Sequence, residues 1–336
     1  MKKTTKLAAV LAVAVAPAFA ANMENPLYTP IENGFYSKTS VGIMYKVTDS
    51  ADALVLKGHD GATEFPIWRT YEDLGYGITD RLSANVQLGY TYNGDIDRKG
   101  LHLGRLGLNY RIFANANDIV WDVYADAHLG GIEKMTGTYS GTGFQYDSYT
   151  TGQYGIWLGT RVGKTWGNLT GSAFAEVGYL FPSDSTDITL SRTISTLPGS
   201  PIAQGNAVAK LESNTDWNIG TKWSYDFDSK LTAAFGFAWK HHDSHVVDTA
   251  DVNATLPPAY AAYESAVSAA LAAQFKGYDF EDTYDEFPIT VSISKQLSDT
   301  VRVALYDEYT FDSADNGSQN GSDVKSEFGV RLNATF

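Results

Sequence analysis

The chain has 336 residues, 43% apolar, 19% charged and 13% aromatic, with 31 Gly, 10 Pro and no Cys. That is too aromatic and too weakly charged for a disordered chain, and the absence of cysteine excludes disulfide frameworks, Cys-ligated metal or iron–sulfur sites and Cys nucleophiles. The formal charge of −14 is the wrong sign for a nucleic-acid binder, which presents a basic face.

The first element is a leader. Residues 1–20, MKKTTKLAAVLAVAVAPAFA, combine a basic start, an apolar run over 7–15 and the small-residue exit Ala18-Phe19-Ala20, the three parts of a cleaved secretory signal. Its apolar run is too short to cross a bilayer of about 30 Å as a helix. Removing Lys2, Lys3 and Lys6 with no acid takes the formal charge from −14 to −17. Residues 21–34 then form a periplasmic N-terminal segment, too short to read as a hatch. No later stretch is long and apolar enough for a spanning helix.

From residue 35 the chain alternates. Period-two runs fall near 36–47, 65–78, 82–93, 101–112, 119–130, 153–166, 169–181, 211–227, 231–242, 286–297, 301–312 and 324–336. In the third, Leu82, Ala84, Val86, Leu88, Tyr90 and Tyr92 alternate with Ser83, Asn85, Gln87, Gly89, Thr91 and Asn93, a strand with one dry and one wet face. The second run is weakest, because Glu72 interrupts its apolar face. Connections at 79–81, 114–118, 167–168, 228–230 and 298–300 are short and made of turn residues; those at 48–63, 132–149, 184–210, 244–284 and 313–323 are long, and 94–99 is the shortest of that set. Short and long therefore alternate, which gathers the turns at one end and the loops at the other. Aromatics band at two heights: Tyr76, Tyr110, Trp121, Trp166, Trp223 and Tyr225 toward the turns, and Tyr92, Tyr154, Tyr179, Phe181, Trp239, Tyr309 and Phe311 toward the loops. The fold expected is all-β, one transmembrane antiparallel up-and-down barrel over 35–336 with about twelve strands, short periplasmic turns and long extracellular loops. The count is uncertain by about two, since 188–196 extends a hairpin above the membrane in one reading.

These residues resemble a known group. The mature chain looks like a porin-like bacterial outer-membrane β-barrel, with a last alternating strand at 328–336 ending in Phe336 and a porin-like hairpin segment, Leu74-Gly75-Tyr76-Gly77-Ile78-Thr79-Asp80-Arg81. The resemblance implies insertion machinery that reads the terminal strand, an outer-membrane location, and contact with lipid and lipopolysaccharide. It names no substrate.

With apolar side chains toward lipid, the alternate residues line the lumen. Lys38, Lys46, Arg69, Arg105, Arg111, Lys325 and Arg331 make a basic arc on the last and first four strands, with Asp73 and Glu327 among them; Asp122, Asp126, Glu176, Glu212, Asp216 and Asp226 make an acidic arc on the fifth to eighth, opposed by Arg161 and Lys222. Opposed walls of opposite sign set a transverse field across a wet channel, which screens polar solutes; the alternative is that the charges pair and close the lumen. Twelve strands fall between a filled eight-stranded barrel and an open sixteen-stranded pore.

One loop is helical. Residues 257–276, PPAYAAYESAVSAALAAQFK, carry a Pro start and the Gly277 exit, with Tyr260, Tyr263, Val267, Leu271 and Phe275 at helical spacing. Constriction of the mouth, a lid, a greeting site for hydrophobic substrate and packing on neighbouring loops all stay open. Its flanks hold His241, His242, His245, Asp248 and Asp251 before it and Asp279, Glu281, Asp282, Asp285 and Glu286 after it. Such carboxylates suit divalent cations that bridge lipopolysaccharide phosphates, but no EF-hand spacing is present and no metal is expected. His242-Asp243-Ser244 resembles the H-x-S of outer-membrane lipid hydrolases, yet the Asn-Gly that follows Ser there is His245-Val246 here and His242 points inward by parity. No catalytic residue and no cofactor are expected. The function expected is passive diffusion of small polar or ionic solutes, with a channel for hydrophobic compounds or a closed structural barrel as alternatives. The oligomeric state stays open.

Overall fold

The computed structural model describes residues 22–48, 67–93, 98–114, 119–130, 132–134, 137–139, 144–146, 153–228, 230–244, 246–277, 283–314 and 322–336. The expected leader at 1–20 lies outside them. In chain order the strands are β1 (Phe35–Thr48), β2 (Ile67–Gly77), β3 (Leu82–Asn93), β4 (Arg98–Ala114), β5 (Ile119–His128), the short β6 (Ile132–Lys134), β7 (Gly137–Tyr139) and β8 (Phe144–Tyr146), then β9 (Gly155–Trp166), β10 (Leu169–Leu180), β11 (Ser183–Thr193), β12 (Ile202–Leu211), β13 (Asn214–Asp226), β14 (Leu231–His242) and β15 (Val247–Thr255). A 3-10 turn (Pro258–Tyr263) and helix α1 (Glu264–Phe275) precede β16 (Tyr284–Gln296), β17 (Val301–Ala314) and β18 (Ser322–Thr335).

Twelve strands close on themselves in the order β1-β2-β3-β4-β5-β9-β10-β13-β14-β16-β17-β18, and β18 returns to β1. All neighbours are antiparallel, so among the described residues the wall has no open edge, the arrangement that hydrocarbon requires. The twelve expected runs coincide with these twelve strands. The seam is fixed by pairs such as Val41↔Val330 and ends where Phe35 and Phe336 exchange backbone hydrogen bonds of 3.0 and 2.8 Å.

Three short turns share one local device. Thr79 Oγ1 accepts the amides of Arg81 and Leu82, Asp228 Oδ1 those of Lys230 and Leu231, and Ser298 Oγ those of Thr300 and Val301. A side chain at the first turn position thus replaces the strand ladder for two donors, and an apolar residue resumes the outer face three residues on.

The alternation reads directly onto the wall. On β3, Val86, Leu88, Tyr90 and Tyr92 are exposed on the outside, while Ser83 and Thr91 are buried within. The rings of both bands pair along the outside: Trp166 stacks on Trp223 at 6.3 Å toward the turns, and Tyr179 meets Phe181 edge-on at 5.4 Å toward the loops. Amphipathic rings at two levels mark the two headgroup boundaries. Glu72, which broke the apolar pattern, is held on the outer face of β2 by the hydroxyls of Ser37 (2.7 Å) and Thr39 (2.5 Å), so its carboxylate is answered by the strand beside it.

Above the barrel, the long connections build a five-stranded sheet in the order β15-β12-β11-β8-β7. The segment at 188–196 belongs here, with β11 pairing β12 from Ser183↔Leu211 to Thr193↔Ile202. Helix α1 seals this sheet: Val267, Leu271 and Phe275 are buried against Ala203, Ala207, Leu211, Val247 and Leu256. The free edge of β15 is answered by the helix, since Ala254 N donates to Ser268 Oγ (3.0 Å) and Leu256 N to Glu264 Oε1 (2.9 Å). Burying three such side chains contributes roughly 1.5–3 kcal/mol each.

Candidate functional site: the lumen and its plug

Residues 22–34 run inside the barrel. The segment is compact because Asn and Pro shape it locally: Asn22 Oδ1 accepts Glu24 N (3.2 Å), Asn25 Oδ1 accepts Leu27 N (2.8 Å), and Asn25 N and Tyr28 N close turns onto Asn22 O and Asn25 O. At the rim the chain reverses at Asn33, in the left-handed region at φ 59°; Asn33 N donates to Gly77 O (2.8 Å) and Tyr76 Oη to Asn33 Oδ1 (3.0 Å). Inside, Asn22 Nδ2 donates to Asp226 (2.8 Å) and Thr232 (3.2 Å), Arg111 donates to Leu27 O (2.9 Å), and Tyr28 meets Tyr36 edge-on at 5.9 Å. The sequence reading of this segment as too short for a hatch is therefore corrected: it is short, but it fills the turn-end half of a narrow lumen.

Glu24 is its anchor. One carboxylate accepts from Ser292 Oγ (2.9 Å), Asn333 Nδ2 (3.2 Å) and Arg331 Nη1 (3.3 Å). Burial pushes the carboxyl up, but Arg331 and Lys38 beside it, with the Ser292 and Asn333 hydrogen bonds, outweigh burial and hold it at about 2 against an ordinary 4.5.

The basic and acidic arcs are adjacent, and they meet through bonds. Arg111, Asp122 and Arg161 share one register row across β4, β5 and β9; Asp122, fully buried, binds Arg111 Nε at 2.9 Å and Arg161 Nη2 at 2.6 Å. Arg69 pairs with Glu327 at 3.5 Å, and Arg331, 4.7 Å from the Tyr306 ring centroid, pairs with Glu24. Lys38 sits beside Glu24 and Arg331. Arg105 stacks over Trp157 at 5.3 Å. Glu176 accepts from Tyr124 Oη (2.7 Å) and Asn218 Nδ2 (2.8 Å), while Asp126 faces the lumen. Asp216 meets His242 Nδ1 at 3.4 Å near the loop end. Glu212 departs from the expected arc: β13 begins at Asn214, and Glu212 lies exposed in the link from β12, outside the wall. The side chains of Lys46 and Lys325 lie outside the described residues.

At the mouth, His241 pairs with Asp285 at 2.8 Å, and His242 Nε2 meets Glu286 at 3.5 Å, with its ring stacked on Tyr284 at 4.6 Å. Both nitrogens of His242 thus point at carboxylates. His245, Asp279, Glu281 and Asp282 lie outside the described residues, and among those described no His or carboxylate group is arranged to hold a metal ion. Of the helix residues, Val267, Leu271 and Phe275 face the loop sheet, Tyr260 is partly buried and donates to Pro198 O (2.6 Å), and Tyr263 is 51% exposed.

A luminal cavity of about 460 Å³ remains above the plug, lined by Asp126, Glu176, Lys222, Arg105 and Lys240 from the wall and floored by Tyr28, Thr29 and Pro30. Its width is set by glycines that the sequence reading did not single out. Tyr36, Gly75, Asn85, Gly107, Asp126, Trp157 and Gly178 form one luminal register row across seven strands. Tyr36 lies over Gly75 and Trp157 over Gly178, leaving no room for a Cβ. Large side chains lie flat along the wall because their neighbours have none. A second, apolar groove of about 690 Å³ indents the lipid face of β2 to β5 and shares Asn85, Leu108 and Asp126 with the luminal cavity.

No protein-family model matches the chain, and no curated protein matches it. Solved structures share its fold. An outer-membrane channel from Pseudomonas putida F1 superposes with a TM-score of 0.54 at 12% identity, covering 94% of this chain and 99% of that one. A deltaS2 mutant of the TodX monoaromatic hydrocarbon channel gives a TM-score of 0.51 at 10% identity, covering 91% and 90%. With its closed wall, outward-facing apolar surface and two aromatic bands, the chain has the fold of a membrane-spanning β-barrel, the fold of these outer-membrane channels.

Proposed function

We propose that the protein is an outer-membrane channel through which small polar or ionic solutes diffuse passively, with residues 22–34 as a plug on the periplasmic side. The observation that carries this reading is the cavity above the plug, whose wall presents Arg105, Lys222, Asp126 and Glu176 to one space. A field between fixed charges of both signs favours polar solutes over apolar ones. The reading assigns no catalytic role to His242, which stands between Asp216 and Glu286 at the loop end. Its partners are outer-membrane lipid and lipopolysaccharide, and the insertion machinery meets it through β18 and Phe336.

A second reading, passage of hydrophobic compounds, draws on the apolar groove behind the Asn85–Asp126 wall. The test is single-channel recording in a planar bilayer under a salt gradient, with residues 21–336 and with 22–33 deleted, after heat-modifiable gel mobility confirms folding. Stable current steps that grow on deletion are the expected result. Silence from both folded chains would refute the polar channel and leave the hydrophobic route as the reading to pursue.

A further inference from the structure

Three tyrosines of the lumen share one arrangement. Tyr36 lies over Gly75 and donates to Asp73 (3.1 Å), Tyr124 lies over Gly159 and donates to Glu176 (2.7 Å), and Tyr306 lies over Gly329 and donates to Glu327 (2.8 Å). Each ring lies flat along the wall and is pinned at its hydroxyl, so one face is offered to the lumen. Two of these rings are met by others: the plug's Tyr28 abuts Tyr36 at 5.9 Å, and Arg331 lies 4.7 Å from the centroid of Tyr306. Among the described residues no ring or cation meets Tyr124. A second ring stands near it. On the same face of β10 as Glu176, Phe174 reaches over Gly220 of β13, and the exposed Lys222 rests its ammonium 5.2 Å from the Phe174 centroid.

These groups stand on the neighbouring strands β5, β9, β10 and β13 and face one cavity. Glu176 lies between the two rings. Tyr124 bonds one of its oxygens and Asn218 the other, which fixes the carboxylate and leaves each oxygen a lone pair for a further donor. Lys222 lies within electrostatic reach of Glu176, and charges of opposite sign side by side leave little net field. The cavity as a whole follows suit: among the described residues its lining holds four carboxylates, Glu308 among them, against four cations, Arg105 among them. Net charge on a solute therefore gains little here. A wholly apolar solute would cover Glu176 and Lys222 without bonding them, which is costly. The match is a neutral molecule with apolar faces and a hydroxylated rim. The C–H faces of a sugar ring suit Tyr124 and Phe174, and its hydroxyls donate to Glu176 and accept from Lys222. The volume of about 460 Å³ falls within the range of about 300–1,000 Å³ typical of small-molecule sites. We propose that Tyr124, Phe174, Glu176 and Lys222 form a binding site for a neutral polyhydroxylated solute of the sugar class. This rests on the channel reading and names the solute class for it.

The test is a saturation-transfer NMR titration of the folded mature chain in a sugar-free detergent, with D-glucose, cyclohexanol and phenol as probes. Cyclohexanol keeps the ring and one hydroxyl, and phenol keeps a flat aromatic face. D-glucose is expected to bind at least tenfold more tightly than either, because a site that bonds hydroxyls rejects an analogue that leaves its groups unpaired. Phe174→Leu and Glu176→Gln are each expected to weaken glucose binding at least tenfold, while Phe174→Tyr keeps it. Cyclohexanol or phenol bound as tightly as glucose by the parent protein would overturn the proposal whether or not the variants fold, as would no binding of glucose at all. Unchanged glucose affinity in the folded variants would overturn it equally. Conductance is recorded separately. Glucose binding without current would sink the channel reading and leave the site standing, and current without glucose preference would do the reverse.

Discussion

Replacing Glu24 by Gln removes the one charge through which the plug engages the barrel wall, and the structure sets the size of the effect. The carboxyl is held at about 2 against an ordinary 4.5, and at about 1.4 kcal/mol per unit the wall favours the charged form by about 3 kcal/mol. Counting bonds gives the same scale, since a hydrogen bond to a charged group contributes about 1.5–3 kcal/mol and Arg331 supplies such a donor to Glu24. Gln keeps a neutral acceptor for Ser292 but leaves Arg331 without its counter-charge. The undocked fraction should rise roughly 100-fold at neutral pH. The chain contains no cysteine, so Leu27→Cys, at a plug position that is buried while the plug is docked, gives a unique reporter. When reclosing is fast, labelling by a thiol reagent tracks the open population, and Glu24→Gln should accelerate it by about that factor. The pH dependence follows in sign. The depressed carboxyl stabilises docking fully above 4.5, and that contribution fades as pH falls from 4.5 toward about 2. Open probability of the parent channel should therefore climb over that interval, and that of Glu24→Gln should stay flat. Equal labelling rates in parent and variant would refute the anchoring role of Glu24.

Two further outcomes separate structure from selectivity. Asp122→Asn strands two guanidinium groups, so it should cost about 3–5 kcal/mol, read as a lower urea midpoint by tryptophan fluorescence; Asp126→Asn, open to the cavity, should shift the reversal potential toward anions and leave the midpoint in place. The converse pattern would show that the two carboxylates have exchanged roles. Phe275→Ala should cost about 3–5 kcal/mol confined to the loop sheet, seen as faster amide exchange in β12 and β15 with the barrel strands unchanged. Equal acceleration in the barrel would mean that the two sheets open as one unit.

Much of this fold is legible in the sequence because a barrel wall obeys one local rule at every position. Lipid on one side and water on the other force a period of two, and β3 or β18 displays it residue by residue. Helix α1 is legible for a related reason: Val267, Leu271 and Phe275 at helical spacing need a partner, Pro258 opens the 3-10 turn that leads into it, and Gly277 follows its end. What the pattern does not carry is contact between distant segments. The packing of α1 on β12 and β15 joins residues far apart in the chain, and Ala203 and Ala207 look unremarkable until the helix lies on them. The plug hides for the same reason. Glu24 is one acid in a short polar stretch, and only its place beside Arg331 and Asn333, at the opposite end of the chain, gives it a role; the closely spaced Asn22 and Asn25-Pro26 were the signal that the stretch is built rather than slack. The charged arcs are legible as composition and only partly as geometry. Parity places Asp122 and Arg111 inward correctly, but nothing in parity says that they share a register row and bond to each other. Alternation continues through Glu212 and puts it on the wall by parity, whereas the chain there is leaving one sheet for another.

The reversal at Asn33 ties the plug to the seam where the barrel closes on itself. Phe35 and Phe336 close the β1–β18 seam by bonding each other, and the chain turns into the lumen two residues before Phe35. The first and last residues of the wall thus form the pivot from which the segment swings inward. Two of the segment's polar partners, Arg331 and Asn333, stand on β18, one side of that same seam. Closure of the wall and filling of the lumen are therefore one structural feature: whatever loosens the seam loosens the hinge of the plug and two of its binding partners together.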